Sequence, residues 1–363
     1  MKPIDEVAVF MKNLIPTDIP EVYALKPVFE SVANEDCIRK GVIAFRDFLC
    51  SLFDRLISDG HLYAKAPKKP SGISDYPFLH YITNLLVEIG YYGKLTCDGN
   101  SLLVSEIPSC IALIDDSGKK KSPKIPVSGL MECLRFLTLC GFVFGDVDLD
   151  AKTLNISEAQ VMKVSYPNNP ILPTGLKALS IADMELRTER RYWNDNNLLR
   201  CDYRLIKAED TDMFDVLKDF LHPLSEDIQK FALTLHRRYV DMGMTCAMSV
   251  RGDVNFAYSH ISKSKSRKVL SSQDIYASRV WAFSYSLRYG YCLVVRAKKT
   301  DKYADAIEKF PLYLREIIAK GYGCDRKLRN ERCQVGCQGI RVPLNDSMLN
   351  VSGDIETWLD CEV

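Results

Sequence analysis

Three cysteines lie close together near the C-terminal end, in the segment GYGCDRKLRNERCQVGCQGIR. They are Cys324, Cys333 and Cys337. Thiolates are good zinc ligands, and a structural zinc site needs four nitrogen or sulfur ligands in tetrahedral geometry. The cluster supplies three, so these residues are candidate zinc ligands only if a fourth comes from elsewhere, as from Cys361, Cys292 or His260. The alternative is that they are packed thiols in a cysteine-rich chain.

An aromatic strand in the C-terminal half is a second candidate site. In WAFSYSL, large apolar residues alternate with Ala and Ser, and alternate residues of a strand share one face. Such a face packs as core under helices, or it lines a pocket for a small apolar or aromatic ligand. The candidate ligand-binding residues are Tyr258, Trp281, Phe283 and Tyr285. Arginines at or beside these strands could hold an anion or form surface ion pairs: Arg251, Arg279, Arg288 and Arg296.

Basic residues concentrate in two serine-containing segments, SGKKKSPK and HISKSKSRK. Neither contains the aromatic partners that stack on bases in many nucleic-acid sites. If both segments lay on one face, they could hold a phosphate backbone; otherwise they are solvated loops. The candidate nucleic-acid-binding residues are Lys119, Lys120, Lys121, Lys263, Lys265, Arg267 and Lys268.

Common catalytic signatures are absent from the sequence. There is no G-x-S-x-G elbow, P-loop or G-x-G-x-x-G motif. The five histidines are scattered, and none forms an H-x-x-x-H or H-x-E pair. These absences favour a non-enzymatic protein without excluding an enzyme.

Composition narrows the class of partner and the compartment. The 363 residues include Lys+Arg 48 and Asp+Glu 47, so no bulk charge attracts nucleic acid or membranes. The first residues, MKPIDEVAVFMKNLIPTD, lack the apolar region of a signal peptide, and no stretch reaches the roughly 18 apolar residues of a spanning helix. The 13 cysteines, an odd number, indicate thiols in a reducing compartment. We expect a cytoplasmic protein with no membrane partner.

A pattern of an apolar helix followed by a β-hairpin occurs twice, at residues 81–105 and 129–157. In each copy the helix is expected to stop at a glycine, Gly90 or Gly141, and Asp98-Gly99 is a strong hairpin-turn signal. A helix running into a hairpin is the second half of a winged helix, which binds DNA or serves as a protein-interaction scaffold. The two helices carry one basic residue, Arg135, which favours the scaffold.

The whole pattern predicts an α+β protein. Its N-terminal part is a helical region with two winged-helix-like repeats, and its C-terminal part is an antiparallel sheet covered by helices. The expected segments are 1–115 with the first repeat, 116–215 with the second repeat and a linker, and 216–363 with the sheet and the cysteine cluster.

Two stretches resemble a known set of sequences. They are YPNNPILPTGLKALSIA and GYGC…CQVGCQGIRVPL…DIETWLD. In these stretches the chain resembles an uncharacterised hypothetical-protein family of anaerobic Firmicutes, mainly Clostridia. The resemblance spans most of the chain and implies a bacterial cytosolic origin. No activity follows from it.

These observations favour a non-enzymatic regulatory or binding protein, such as a one-component regulator. Its C-terminal domain would sense a small-molecule ligand or a metal, and its repeats would contact DNA or a protein partner. The alternative is a metalloprotein or enzyme that uses the C-terminal pocket and the cysteine cluster; its cofactor is not determined by the sequence, and zinc is the candidate. Both rest on analogy of architecture.

Overall fold

The computed structural model combines helices with antiparallel sheets, so the predicted mixture of α and β structure is confirmed. The chain divides between Asp210 and Thr211 into an N-terminal unit and a C-terminal unit. The boundary expected between residues 215 and 216 therefore falls inside the first helix of the C-terminal unit. The residues that the structure describes are 2–68, 76–110, 113–114, 120–121, 123–145, 147–150, 161–190, 197–250, 253–260, 272–298, 300–321 and 339–363.

Long apolar helices form most of the N-terminal unit. The Asn34 side chain accepts the backbone N–H of Asp36 and so caps the longest helix, which buries an apolar stripe along its length. The α-helices are α1 (Ile4–Lys12), α2 (Glu35–Tyr63), α3 (Pro77–Tyr92), α4 (Val127–Leu139) and α5 (Leu172–Arg190). Short 3₁₀ helices occupy Pro27–Ser31, Pro108–Cys110 and Tyr203–Leu205.

Helix α5 packs against both α2 and α3, and small residues make these close approaches possible. A Cβ added at Gly41 of α2 would lie 2.4 Å from the backbone N of Gly175 in α5. Gly90 lies inside α3, where an added Cβ would lie 2.1 Å from the Ser180 hydroxyl of α5. The expectation that Gly90 ends its helix was therefore wrong, because this glycine serves helix packing. Gly141 does follow α4 and has φ 104°.

The two hairpins of the N-terminal unit join in one sheet. Its strands, β1 (Lys94–Leu95), β2 (Ser101–Val104), β5 (Val143–Gly145) and β6 (Met162–Ser165), are antiparallel in the order β1-β2-β6-β5. A separate pair consists of β3 (Leu113–Ile114) and β4 (Lys120–Lys121). The turn before β2 contains Gly99 at φ 73°. The strand that pairs with β5 begins at Met162, whereas the expected return strand ended near Ile156, which lies outside the described residues.

A buried ion-pair cluster closes the N-terminal unit after α5. The Asp202 carboxylate lies 2.7 Å from Arg204 Nε and 3.5 Å from an Nη of Arg200, and all three side chains are largely buried. Burial acts to raise the pKa of Asp202, but the two guanidiniums outweigh it and hold this pKa below its usual value. The carboxylate is therefore charged in the interior and paired, as buried charges must be.

The C-terminal unit is built on one antiparallel sheet of five strands in the order β11-β10-β9-β8-β7. These are β7 (Met244–Val250), β8 (Val254–His260), β9 (Trp281–Ser286), β10 (Gly290–Val295) and β11 (Ile340–Pro343). The helices are α6 (Met213–Phe220), α7 (Glu226–Asp241), α8 (Ser272–Ser278), α9 (Ala304–Lys309), α10 (Leu312–Lys320), α11 (Asp346–Leu349) and α12 (Ser352–Glu362). A 3₁₀ helix spans Thr300–Lys302.

Within the described parts of both units, the helices are too short or too polar to cross a lipid bilayer.

Candidate functional site

The aromatic side chains predicted to bind a ligand lie on one face of the five-stranded sheet. The register pairs Tyr258 with Trp281, and their rings stack with centroids 3.7 Å apart. Phe283 is the next residue of β9 on that face, followed by Tyr285, whose ring stacks on Tyr291 of β10 at 3.9 Å. Tyr258, Trp281 and Phe283 are each 0% exposed. We call this surface the aromatic face.

Helices α6 and α7 cover the aromatic face. The Phe220 ring of α6 lies 4.9 Å from that of Phe256, and the Tyr239 ring of α7 lies 5.3 Å from that of Trp281. These are edge or tilted contacts of the kind that fill protein cores. The four residues proposed as ligand-binding are therefore core side chains, because helix residues occupy the space that a ligand would need.

One polar pair is enclosed in this core. His236 of α7 places its Nδ1 2.7 Å from the Tyr258 hydroxyl. Burial lowers the pKa of His236, and burial raises the pKa of Tyr258 well above its ordinary value. Both groups are therefore neutral near pH 7, so the pair links α7 to β8 as a hydrogen bond between uncharged partners.

The opposite face of the sheet carries small and polar side chains. The register places Ser249, Asn255, Ser284 and Cys292 side by side across four strands. All four are buried, although a sheet face usually buries aliphatic side chains. We call this row and its borders the polar face. It is the candidate functional site, because polar side chains this deep must be matched by hydrogen-bonding partners.

Two charged residues border the row. Arg341 of β11 is 4% exposed, and its guanidinium lies 4.4 Å from the centre of the Tyr289 ring. Asp253 precedes β8; burial raises its pKa, and the nearby Arg341 partly offsets this. Burial likewise raises the pKa of Cys292 to about 12, although Arg341 acts to lower it. The site thus contains a cation, a carboxyl group that burial makes a weaker acid, and a protonated thiol.

Alanines let helix α8 approach the sheet beside this row. Ala247, Ala257 and Ala282 pair across β7, β8 and β9, and they pack with Ile275 and Tyr276 of α8. Further along β8, the Ser259 hydroxyl is fully buried and has no hydrogen-bond partner among the described residues. On this side of the sheet, the part that packs against α8 is therefore lined by alanines, and polar side chains lie on either side of that part.

Two buried arginines lie at the end of the sheet near Ser259. Arg296 donates from Nη1 to the Ala277 carbonyl at 2.6 Å, and Arg279 donates to the Tyr276 carbonyl at 2.7 Å. Both bonds lead to α8, so these guanidiniums fix the C-terminal end of that helix. They are two of the arginines that the sequence suggested could hold an anion or form surface ion pairs, and in the structure each donates a hydrogen bond to a carbonyl of α8.

The other predicted site residues fall mostly outside the described residues. Cys324, Cys333 and Cys337 lie there, as do Lys119, Lys263, Lys265, Arg267 and Lys268. Lys120 and Lys121 form β4, which pairs with β3. Among the side chains that are described, no group of three or more His, Cys, Asp or Glu residues is arranged to hold a metal ion.

The helices of the two helix–hairpin repeats show few cations. On α4, the exposed residues include Glu132 and Arg135, and Arg135 Nε donates to the Leu149 carbonyl at 2.8 Å. The exposed residues of α3 are His80 and Tyr91. A helix that enters the major groove of DNA usually presents several cationic or amide side chains. Neither helix does so.

No protein-family model, curated protein or solved structure matches this chain.

The sequence pattern of WAFSYS did not predict the polar face, because its large residues indicate a binding or core surface on the aromatic side only. The signal was present in the same strand, where Ala and Ser fill every position between the aromatics. The partners of that face, Asn255 and Arg341, lie on other strands and come into register only through sheet pairing.

Proposed function

We propose that this chain is a non-enzymatic regulatory protein that binds a small polar ligand on the polar face of its C-terminal unit. The observation that supports the proposal is the buried row Ser249, Asn255, Ser284 and Cys292, bordered by a cation and a carboxyl group. A guanidinium such as that of Arg341 prefers carboxylate or phosphate groups. The ligand would therefore carry an anionic group together with hydrogen-bond donors, as free amino acids do.

Binding is favoured over catalysis by the chemistry of the same residues. A nucleophilic cysteine needs a thiolate and an adjacent base. The Cys292 thiol has a raised pKa and donates to the Tyr289 carbonyl, so it is protonated near pH 7. The buried histidine, His236, contacts the aromatic face and cannot serve a group on the polar face. Among the described residues of the polar face, Cys292 therefore has no histidine base beside it.

In such a regulator, the N-terminal unit would contact the partner molecule. We propose that its two helix–hairpin repeats act as a winged-helix-like scaffold that contacts a protein partner in preference to DNA. The low number of exposed cations on α3 and α4 supports this preference, since phosphate contacts dominate DNA affinity.

A thermal-shift screen of the full chain tests ligand binding. The compounds are free amino acids, dicarboxylates, phosphate esters and amines. A ligand present at about 100 times its Kd stabilises the folded state by about 2.7 kcal/mol, which raises the melting temperature by several degrees. Anionic compounds with hydrogen-bond donors should give such shifts, and Arg341→Met should abolish them.

Two serine variants provide the matched comparison. Ser284→Ala removes a buried strand hydroxyl from the polar face, and Ser101→Ala removes one from β2 of the other unit. Ser284→Ala should weaken the response, whereas Ser101→Ala should leave it unchanged. Equal responses in all variants would place the ligand elsewhere and refute the proposed site.

A further inference from the structure

The four-stranded sheet of the N-terminal unit has one buried face and one outward face. Leu102, Val104, Phe144, Met162 and Val164 are buried on the first. Alternate residues point to the second, because side chains of a strand alternate between faces. We call the second surface the outer sheet face; its positions are Lys94, Ser101, Leu103, Val143, Gly145, Lys163 and Ser165, of which Ser101 is buried.

Aliphatic side chains are exposed on the outer sheet face. Leu103 is 37% exposed and Val143 is 47% exposed; Val161, which directly precedes β6, is 45% exposed. Single exposed aliphatic residues are ordinary, but Leu103 and Val143 share the solvent-facing side of one small sheet, where an antiparallel sheet normally alternates to polar residues. Grouped apolar exposure of this kind marks interaction sites.

The charged residues of the outer sheet face are all basic. The register places Leu103 directly between Lys94 on β1 and Lys163 on β6, and both lysines are exposed. None of the positions on this face carries an acidic residue. A partner that covers Leu103 must therefore come within reach of two ammonium groups, so carboxylates on that partner would improve both its association rate and its fit.

The shape of the sheet indicates how a partner would lie. The edge strands β1 and β5 are two and three residues long, which is too short to template an added strand. A partner would therefore rest across the face and not along an edge. Association of two copies through this face would bring lysines against lysines, which is unfavourable.

We propose that the outer sheet face binds an amphipathic segment of a partner protein, with aliphatic or aromatic side chains over Leu103 and Val143 and acidic residues beside Lys94 and Lys163. This names the partner class for the N-terminal unit and rests on the proposal that this unit contacts a partner. It is independent of ligand binding by the C-terminal unit.

Peptide selection tests this proposal without a known partner. A phage-displayed random peptide library is panned on the full chain and counter-selected on the Leu103→Ser/Val143→Ser variant. We expect the recovered peptides to combine Asp or Glu with Leu, Ile, Val or Phe. Synthetic peptides are then titrated by fluorescence anisotropy, and Lys163→Glu should raise Kd about tenfold, the size of effect that about 1.4 kcal/mol produces.

A charge swap and a matched leucine variant make the result specific. A peptide with Lys in place of its acidic residues should bind Lys163→Glu better than it binds the original chain. Leu62→Ser removes a 60% exposed leucine from α2 of the same unit and should leave Kd unchanged. Circular dichroism checks that each surface variant remains folded.

Other results overturn the partner class. Recovered peptides that lack acidic residues, or peptides that bind the Leu103→Ser/Val143→Ser variant equally well, would refute it. Binding of random duplex DNA that is lost in Lys163→Glu would assign a nucleic acid, and a dimer that Leu103→Ser disrupts would assign a second copy. In these last two cases the N-terminal unit would still be an interaction module, so only the partner class would fail.

Discussion

Replacing Gly175 by alanine should destabilise the N-terminal unit substantially. The new Cβ would lie 2.1 Å from the carbonyl carbon of Gly41 and 2.4 Å from the backbone N of Val42. Carbon atoms prefer separations of about 3.5–4.0 Å, so α2 and α5 would have to separate by more than ~1 Å. The atoms that it meets are backbone and cannot rotate away, which places the overpacking penalty near the upper end of about 1–3 kcal/mol.

Alanine also favours a helix over glycine by about 1 kcal/mol, so the net loss should be about 2 kcal/mol. That loss corresponds to a fall in melting temperature of roughly 4–8 °C for a unit of this size. Urea titration followed by circular dichroism measures it. Gly60→Ala in α2 is the control, because the atoms nearest to its Cβ belong to the side chains of Ile4, at 3.1 Å, and Leu56, at 3.6 Å, and side chains can move. Unchanged stability in Gly175→Ala would refute the packing argument.

Three further changes have defined outcomes. Asp202→Asn should destabilise by about 3–5 kcal/mol at pH 7, because it removes the buried carboxylate that pairs with the guanidiniums of Arg200 and Arg204. The lowered pKa of Asp202 means that this stabilisation is full above about pH 4 and is lost as pH falls through the folded-state value, so urea midpoints of the two proteins should converge in acid. Tyr258→Phe should destabilise by about 1–3 kcal/mol, measured by urea titration, since His236 loses its buried partner, whereas Tyr91→Phe on the surface should have little effect. If the C-terminal cysteines bind zinc, elemental analysis of anaerobically purified protein should find one ion per chain that is lost in Cys333→Ser; metal-free protein would make these residues ordinary thiols.

Local signals in the sequence predicted several elements well. The Asp98-Gly99 pair marked the turn between β1 and β2. Alternation in WAFSYS marked β9 and grouped its aromatic residues on one face. These features follow from backbone geometry over a few residues, so a short window of sequence contains what determines them.

Features that depend on distant residues could not be predicted in this way. Nothing near Gly90 shows that Ser180 packs against it, so the glycine was interpreted as a helix end. Likewise, β6 was expected earlier in the chain, because apolar residues at both places fit a short strand. Packing between helices and pairing between strands decided these points.

The sequence by itself determined the classes of structure present: amphipathic helices, antiparallel strands, and a strand with aromatic residues on one side and small residues on the other. Only the tertiary structure decided which elements cover each side. Helices α6 and α7 cover the aromatic face, and sheet pairing brings Asn255, Ser284 and Arg341 together on the opposite face. The physical reason is that a strand fixes the direction of its own side chains, whereas burial depends on which elements pack against each face.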